Sequence, residues 1–359
     1  MSVRVLIVAA SLDILGGQAV QAERLVRHLQ QEPSLEVAFL AINPRLPGKL
    51  RKLQSIKYVR TVTTSLLYLF NLLREVRKYD VIHIFSASYL SFLIAPTPAI
   101  LVSKLYGKKI VLNYHSGEAE DHLRRWRRST IPILNLCDAI VVPSEYLVRV
   151  FAGFGLEASA IFNIIELDKF AFRERTQLRP VFLSNRNLEP HYGVDCVLRA
   201  FALIQQRTPQ ASLTVVGDGS QREALERLKT ELNLQHTSFT GRVEHEEIYD
   251  HYTNADVFLN ASRIDNQPLS ILEAFACGLP VVTTDAGGIP DIVNDQDTGF
   301  LVPVDDCEAL AERATKLLAD RNIATTMVQN ARKEVNKYTW EVVCDQWLRL
   351  YREVSENKS

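Results

Sequence analysis

Cysteine is scarce in this sequence, and its placement points to neither a disulfide framework nor a bound metal. Five cysteines occur in 359 residues, none in a C-x-x-C pair and none clustered with histidine at metal-ligand spacing. This argues against a disulfide-rich fold and a structural zinc site. No basic, apolar leader precedes the first strand-like run at Val3, so we expect a reducing, cytoplasmic setting.

Long apolar runs and low-complexity segments are also lacking. The stretch from Val81 to Ser103 has no charged residue, but Pro96 and Pro98 interrupt it. We interpret it as a buried strand followed by a helix, not as a membrane span. The chain length and the 47% hydrophobic content predict two globular domains.

The formal net charge of −1 conceals two halves of opposite sign. Residues 1–165 contain 20 Lys and Arg against 12 Asp and Glu, whereas residues 166–359 contain 21 against 30. A balance of +8 on the first half fits contact with an anionic surface or ligand. Solvated helix faces would give the same imbalance.

Short runs rich in Val, Ile and Leu alternate with segments of helical periodicity, which is typical of parallel sheets with crossover helices. The predicted strands form two series of six: Val3–Ala10, Val37–Ile42, Val81–Phe85, Ile110–Tyr114, Ala139–Val142 and Ala160–Ile164, then Val181–Leu183, Leu213–Val216, Ser238–Thr240, Val257–Asn260, Val281–Thr284 and Phe300–Val302. The fold class is therefore α/β, with two doubly wound Rossmann-like domains facing each other across a cleft.

We predict domain boundaries from the charged segment Glu166 to Arg179. Residues 1–165 form the first domain and residues 166–337 the second. Residues 338–359 form an amphipathic helix that carries Trp340 and Trp347 and should pack on another element.

Two segments have the composition of a phosphate-binding site. Gly16-Gly17 opens a helix after the first strand, which offers free amides at the positive end of the helix dipole. In the second half, Asp265 precedes a short helix by a few residues, and Glu273 lies one turn into it. The amides near Leu269 and Ser270 suit a diphosphate, and Glu273 suits ribose hydroxyls. Alternatively, Gly16-Gly17 is a turn, Asp265 a helix cap and Glu273 a surface charge.

The order of several motifs resembles the retaining family 4 (group 1) glycosyltransferases. The matching segments are "YHSG" at Tyr114–Gly117, "VPSEYL" at Val142–Leu147, "SNRNLEPHYGVDCVLRAF" at Ser184–Phe201, "LTVVGDGSQREALE" at Leu213–Glu226, "FTGRV" at Phe239–Val243, "IDNQPLSILEAFACGLPVVTTDAGGIPDIV" at Ile264–Val293 and "TGFLV" at Thr298–Val302. The resemblance implies the GT-B fold, with the last helix crossing back to the first domain.

The resemblance also implies a role for individual residues. Arg186 would pair with the donor diphosphate, and His115 would lie near the transferred sugar, where Asp265 would also bind. The catalytic residues would be His115, Asp265 and Arg186. The donor-binding set would be Gly16, Gly17, Arg186, Tyr192, Arg242, Val243, Leu269, Ser270, Ile271 and Glu273.

This chain departs from the family pattern at two positions. The family usually has lysine where this chain has Tyr192, so one phosphate-neutralising charge is missing, and His191 or another cation is a candidate substitute. The family motif begins with glutamate where this chain has Asp265, which shortens the reach of the carboxylate. These changes imply an altered donor choice, a substitute cation or lost activity.

The basic half contains a tryptophan among four arginines, at Arg124, Arg125, Trp126, Arg127 and Arg128. Such a segment suits an anionic lipid surface, with Trp126 at headgroup level, and equally suits an ordinary solvated helix. Nucleic acid is not an expected partner, because the aromatic residues are not interleaved for stacking.

The resemblance implies a retaining glycosyltransferase that moves a sugar from a nucleotide diphosphate sugar to a glycan or lipid-linked acceptor, in cell-surface polysaccharide or glycolipid synthesis. The donor is a substrate, and neither a cofactor nor a metal is expected. The alternatives are a non-catalytic sugar-nucleotide-binding scaffold of a polysaccharide-assembly complex and a sugar-nucleotide epimerase or phosphorylase on the same fold.

Overall fold

The structure, a computed structural model, describes residues 2–11, 17–46, 48, 56–175, 177–244 and 247–356. It divides the chain into two compact units: unit 1, Met1–Ile164 with Trp340–Ser359, and unit 2, Ile165–Thr339. Each unit has a six-stranded parallel sheet flanked by helices. The predicted α/β class with two series of strands is confirmed.

The strand order is β2-β1-β3-β4-β5-β6 in unit 1 and β12-β11-β10-β7-β8-β9 in unit 2. The strands are β1 Val3–Ala9, β2 Leu35–Ala41, β3 Val81–Ser86, β4 Lys109–Tyr114, β5 Ala139–Val142, β6 Ser159–Ala160, β7 Val181–Asn185, β8 Ser212–Val216, β9 Thr237–Gly241, β10 Val257–Leu259, β11 Val281–Thr284 and β12 Phe300–Val302. The order reverses direction beside β1 and beside β7, as in a doubly wound sheet.

Helices connect the strands and cover the sheets. They are α1 Gly17–Leu29, α2 Lys57–Glu75, α3 Tyr89–Ile94, α4 Pro96–Leu105, α5 Ala119–Arg125, α6 Arg127–Leu134, α7 Glu145–Ala152, α8 Val194–Arg207, α9 Arg222–Glu231, α10 Ile248–Asn254, α11 Leu269–Ala276, α12 Cys307–Ala319, α13 Arg321–Val335 and α14 Trp340–Glu356. Among the described residues, none of these helices is both long and apolar enough to cross a bilayer.

The last helix, α14, belongs to unit 1. Its buried face carries Val343, Trp347 and Tyr351, which pack on the side chains of β1, β3 and β4. His83 of β3 lies at the centre of this contact, because its Nδ1 is 2.7 Å from the Tyr351 hydroxyl and its ring stacks on Trp347. Burial lowers the pKa of His83 to about 3, so the ring is neutral at pH 7.

The sixth strand is shorter than predicted. Pairing with β5 includes Ser159 and Ala160, and the chain then leaves the ladder. The partner strand β5 ends at Val142, whose carbonyl accepts the last of these bonds, from the Ile161 amide at 3.0 Å. Beyond that point the Ile164 amide donates to Gln21 Oε1 at 2.8 Å, and Gln21 Nε2 donates to the Ile164 carbonyl at 2.9 Å, so a side chain of α1 satisfies the backbone there.

Unit 2 begins with a segment held by one buried carboxylate. Asp256, which is 1% exposed, forms ion pairs with Arg173, Arg175 and Arg179. Arg175 also donates to the carbonyls of Cys277 and Gly278 at 2.7 and 2.8 Å. The charged segment that leads into β7 is therefore fixed on unit 2 by shared electrostatic contacts.

We expect unit 1 to lose stability in mild acid because His83 must stay neutral when folded. Its pKa falls from an unfolded value of about 6.5 to about 3, so lowering the pH from 6.5 to 5 favours the protonated, unfolded chain. The contribution of this residue is about 1.4 kcal/mol per pH unit.

Urea unfolding at several pH values measures this contribution of His83. His83→Phe should flatten the slope by that amount, whereas the exposed-site control His236→Asn should leave it unchanged. An unchanged slope in His83→Phe would contradict the assignment.

Candidate functional site

The residues predicted in the second half of the chain gather at the carboxyl edge of the unit 2 sheet. Arg186 directly follows β7, Asp265 lies in the loop after β10, and Ser270 is in the first turn of α11. Parallel strands end at the same edge of a sheet, which is where open α/β sheets bind their ligands.

Arg186 is the centre of this cluster. One Nη is paired with the Asp265 carboxylate, and the other Nη donates to Ser270 Oγ at 3.2 Å. The side chains of Arg186 and Asp265 are only 10% and 12% exposed. Arg186 Nε is buried and has no hydrogen-bond partner among the described residues. Of the five N–H donors of the guanidinium, Asp265 and Ser270 take one each, and the buried Nε–H is among those left unmatched, which is costly unless a ligand accepts from them.

Tyr192 lies against the same guanidinium. The Arg186 Cζ is 4.0 Å from the centroid of the Tyr192 ring, within the range of a cation–π contact. Tyr192 ends a 3-10 turn, Pro190–Tyr192, and Gly193 follows with φ of +61°. A Cβ on Gly193 would lie 1.9 Å from the Ala261 carbonyl oxygen, so only glycine allows the backbones to approach this closely.

Arg263 fixes the turn that carries Tyr192. Its amide donates to the His191 carbonyl at 2.8 Å, and its guanidinium donates to the Pro190 carbonyl at 2.5 Å. The same guanidinium binds Asp195 through both Nη atoms at 3.0 and 2.8 Å, and its Nε binds Asp305 at 2.7 Å. The position of Tyr192 is therefore set by contacts that do not involve Arg186.

Glu273 is buried and held by a tyrosine that sequence reasoning missed. The Tyr252 hydroxyl is 2.8 Å from Glu273 Oε2 and accepts from Asn185 Nδ2 at 2.9 Å. Burial raises the pKa of Tyr252, so the hydroxyl keeps its proton and donates. No residue type or spacing in the sequence marked Tyr252 as a partner of Glu273, or Asn185 as a partner of Tyr252.

The first turn of α11 supplies backbone amides beside Arg186. The helix starts at Leu269 after Pro268 and ends at Ala276, with Gly278 in the left-handed conformation, as the positions of Pro268 and Gly278 predict. The amides of Leu269 and Ser270 have no acceptor within the helix. The Ile271 amide, also predicted to face a ligand, donates to the Pro268 carbonyl at 3.1 Å.

The loop that carries Asp265 packs on Gly287 and Gly288. The Gly288 amide donates to the Asp265 carbonyl at 2.9 Å, and Gly287 has φ of +54°. A Cβ on Gly287 would lie 2.1 Å from the same carbonyl oxygen. These glycines therefore fix the backbone that presents the Asp265 carboxylate to Arg186.

The other predicted donor-site residues of unit 2 do not join this cluster directly. Arg242 and Val243 follow β9 at the same edge of the sheet, where Arg242 is exposed and Val243 is half-buried. Hydrogen bonds join the ends of β7, β8 and β9 one after another. The Arg186 amide donates to the Val216 carbonyl, and the Gly217 amide donates to the Gly241 carbonyl, each at 3.0 Å.

The remaining predicted residues belong to unit 1. His115 follows β4, its amide donates to the Ser86 carbonyl at 3.1 Å, and its ring stacks on Phe85. Burial lowers the pKa of His115 to about 4, so the imidazole is neutral at pH 7. Gly17 is the first residue of α1. Gly16 lies outside the described residues.

The arginine-rich segment spans the junction of α5 and α6. All four arginines are exposed. Arg124 and Arg125 also form ion pairs with Glu120 and Asp121, one turn earlier in the helix. The Trp126 ring is half-buried and meets the rings of Tyr89 and His122 edge-on. Two of the four positive charges are thus partly neutralised within the helix.

In the part of the chain that the structure describes, no group of three or more His, Cys, Asp or Glu side chains is placed to hold a metal ion. The donors at the candidate site are a guanidinium, hydroxyls and amides. This chemistry suits an anionic oxygen ligand such as a phosphate.

Comparison with known families covers nearly the whole chain. Residues 15–169 match Glycosyltransferase Family 4, and residues 168–334 match Glycosyl transferases group 1. The sulfoquinovosyl transferase SQD2 of Arabidopsis thaliana is 29% identical over 79% of this chain and 59% of its own length. A GDP-mannose-dependent monoacylated α-(1-6)-phosphatidylinositol monomannoside mannosyltransferase of Corynebacterium glutamicum is 33% identical over 66% of this chain and 68% of its own length. The chain spans 59% of the length of SQD2. It spans 65% of the length of a GDP-mannose-dependent α-(1-6)-phosphatidylinositol monomannoside mannosyltransferase of Mycolicibacterium smegmatis.

Solved structures share the fold. Anabaena HepE in complex with UDP and glucose has a TM-score of 0.73 at 18% identity, over 98% of this chain and 100% of that one. A sucrose-phosphate synthase from Thermosynechococcus elongatus has a TM-score of 0.73 at 20% identity, over 98% and 99%. The GT-B fold expected from the sequence motifs is confirmed.

Gly193 should be far less tolerant of alanine than a glycine of the same backbone conformation elsewhere. Gly193 and Gly107 both have φ of +61°, but a Cβ meets no atom within 4 Å at Gly107 and overlaps the Ala261 carbonyl at Gly193. We expect Gly107→Ala to cost about 1–2 kcal/mol of stability and Gly193→Ala several kcal/mol more. Urea unfolding, followed by probes for each unit, measures both. Equal losses of stability would show that the turn at Pro190–Tyr192 shifts to accommodate the added Cβ at no cost in stability.

Proposed function

Because this chain belongs to the family 4, group 1 glycosyltransferases, we propose that it moves a sugar, with retention of anomeric configuration, from a nucleotide diphosphate sugar to an acceptor. The observation that carries this proposal is the nearly buried Arg186, whose Nε has no partner among the described residues and which lies beside the first turn of α11.

In the proposed reaction, the residues of unit 2 stabilise the departing diphosphate. The Arg186 guanidinium and the amides of Leu269 and Ser270 would take its oxygens as the glycosidic bond breaks. Glu273, fixed by Tyr252, would accept hydrogen bonds from ribose hydroxyls. Arg242 and Val243 would hold the base, and Gly16 and Gly17 are proposed as further ligands of the diphosphate.

The sugar would be attacked on the face from which the diphosphate leaves. Among the described residues of the candidate site none is an obvious nucleophile, so the proposed step is an oxocarbenium-like displacement in which the leaving phosphate takes the acceptor proton. Asp265 would bind a sugar hydroxyl while it neutralises Arg186. His115 would contribute as a neutral hydrogen-bonding group, because burial keeps its pKa near 4.

A lipid-linked acceptor is supported by a second observation, on unit 1. Exposed apolar side chains recur along one stripe of α2 at Val62, Leu66, Leu69, Phe70 and Leu73, spaced as neighbours on a helix face. Globular proteins rarely expose such a stripe unless it binds a partner. The Tyr106 hydroxyl, which donates to the Leu73 carbonyl at 3.1 Å, joins this stripe to the end of α4, where Leu101 and Leu105 are also exposed.

Cations flank this apolar face, which favours an anionic lipid surface as its partner. Arg60, Arg74, Arg77, Lys78 and Lys104 are exposed on α2, the turn after it and α4. Glu75, the single carboxylate of α2, pairs with Arg74 and Lys78, and Lys104 pairs with Asp138, so these three charges are partly compensated. The proposed contact combines these cations with Arg124, Arg125, Arg127 and Arg128 and the apolar stripe. The mannosyltransferase relatives, whose names specify phosphatidylinositol derivatives, support the same acceptor class.

Arg186→Ala and Glu273→Gln should each weaken donor binding about 10- to 100-fold, because each removes a charge-assisted hydrogen bond worth about 1.5–3 kcal/mol. Titration calorimetry with UDP-glucose and GDP-mannose measures the change. The surface variants Arg207→Ala and Glu231→Gln are matched controls and should bind as the unchanged protein does. Donor binding without sugar transfer to any lipid or glycan acceptor would favour the scaffold, and a product with an altered, untransferred sugar would favour the epimerase.

The variant Leu66→Gln/Phe70→Gln/Leu73→Gln should lose most co-sedimentation with vesicles of phosphatidylglycerol and phosphatidylcholine, at low and high salt, because insertion of apolar groups is not screened. Replacing Arg124, Arg125, Arg127 and Arg128 by Glu should weaken binding mainly at low salt. Val304→Gln and Val342→Gln, at exposed apolar positions elsewhere, serve as controls. If the unchanged protein does not sediment with these vesicles at low salt, the membrane contact is wrong.

A further inference from the structure

The two positions that depart from the family pattern, Tyr192 and Asp265, contact the same guanidinium. Asp265 is ion-paired with Arg186, and the Tyr192 ring lies 4.0 Å from its Cζ. We propose that Tyr192 is a positioning residue that orients Arg186, so that one arginine holds the donor diphosphate where the family pattern has an arginine and a lysine. This inference rests on the proposed function.

The contacts around Arg186 restrict the orientation of its guanidinium. The Tyr192 ring covers a face of the guanidinium, Asp265 and Ser270 occupy its Nη atoms, and Nε is unmatched among the described residues. A planar guanidinium held at one face and at both Nη atoms cannot rotate freely. Its remaining N–H groups therefore point in fixed directions before a ligand arrives, and this orientation reduces the entropy lost on binding.

Tyr192 is suited to this role because its own position is fixed independently. Gly193 presses against the Ala261 carbonyl, and Arg263 holds the carbonyls of Pro190 and His191 while it pairs with Asp195. The Tyr192 ring is therefore a fixed surface on which the Arg186 guanidinium packs. A lysine at this position would add a second cation to the diphosphate site but would provide no flat surface for the guanidinium.

The experiment is a double-mutant cycle between Tyr192 and Arg186, read by calorimetric titration of the full chain with UDP and GDP. Tyr192→Leu should raise the Kd of the nucleotide that binds about three- to thirty-fold, and Tyr192→Phe, which keeps the ring, should restore most of the lost affinity. In the Arg186→Ala background, Tyr192→Leu should add less than a two-fold loss.

Phe172→Leu provides a matched control. Arg332 lies 3.9 Å from the Phe172 ring, so this variant removes a similar cation–π contact in unit 2 away from the candidate site, and the Kd should not change. If Arg186→Ala fails to fold because Asp265 is left unpaired, Arg186→Ala/Asp265→Asn replaces it as the background for the cycle.

Two results would overturn the inference: Tyr192→Leu and Tyr192→Phe bind the nucleotide equally well, or Tyr192→Leu loses the same affinity whether or not Arg186 is present. A purely structural role would give the second result together with a lower melting temperature. If the unchanged protein binds neither nucleotide, the proposed function fails. The same cycle read by urea unfolding then decides the inference, because a missing coupling between Tyr192 and Arg186 in stability shows that the ring does not hold the guanidinium.

Discussion

Parallel strands deliver the loops that follow them to one edge of a sheet, and the candidate site of unit 2 depends on this constraint. The residue after β7 is a cation, the loop after β10 carries a carboxylate, and the next helix begins with amides that have no acceptor within the helix. Asp265 and the start of α11 are neighbours in sequence, but Arg186 is 79 residues from Asp265 and 84 from Ser270. The strand order β10-β7-β8-β9 places them beside one another, so that Arg186 reaches both Asp265 and Ser270.

Close backbone contacts keep this edge in place, and they explain why glycine occupies several of its turns. Gly193 lies against Ala261, Gly217 against the Arg186 carbonyl, and Gly287 against the Asp265 carbonyl. Each has a positive φ, and at each a Cβ would overlap a carbonyl oxygen. The polar side chains are therefore presented by backbone that has little freedom to move. That rigidity matters for a site in which charge must be stabilised at a defined point.

Unit 1 combines two different environments. Around His83 and α14 it has a buried aromatic core in which a histidine is kept neutral. On α2 and α4 it has apolar side chains that remain exposed and are flanked by cations. The core explains stability, whereas the exposed face lies outside that core in the part of the unit that the structure describes. This contrast supports a contact with a lipid surface and is consistent with the positive charge of residues 1–165.

The sequence by itself determined the strands, the fold and the identity of most candidate groups. Short apolar runs of strand length form buried strands largely irrespective of their neighbours. Pro268 and Gly278 indicated where α11 begins and ends through their local backbone preferences. The sequence did not predict that β6 ends early, where β5 runs out, nor that Gln21, far away in sequence, takes the hydrogen bonds of Ile164. Tertiary structure alone decided that Tyr252 holds Glu273 and that Tyr192 and Asp265 share Arg186. Such contacts join residues from different loops, and their energies depend on distance, burial and direction, which periodicity and spacing along one chain do not encode.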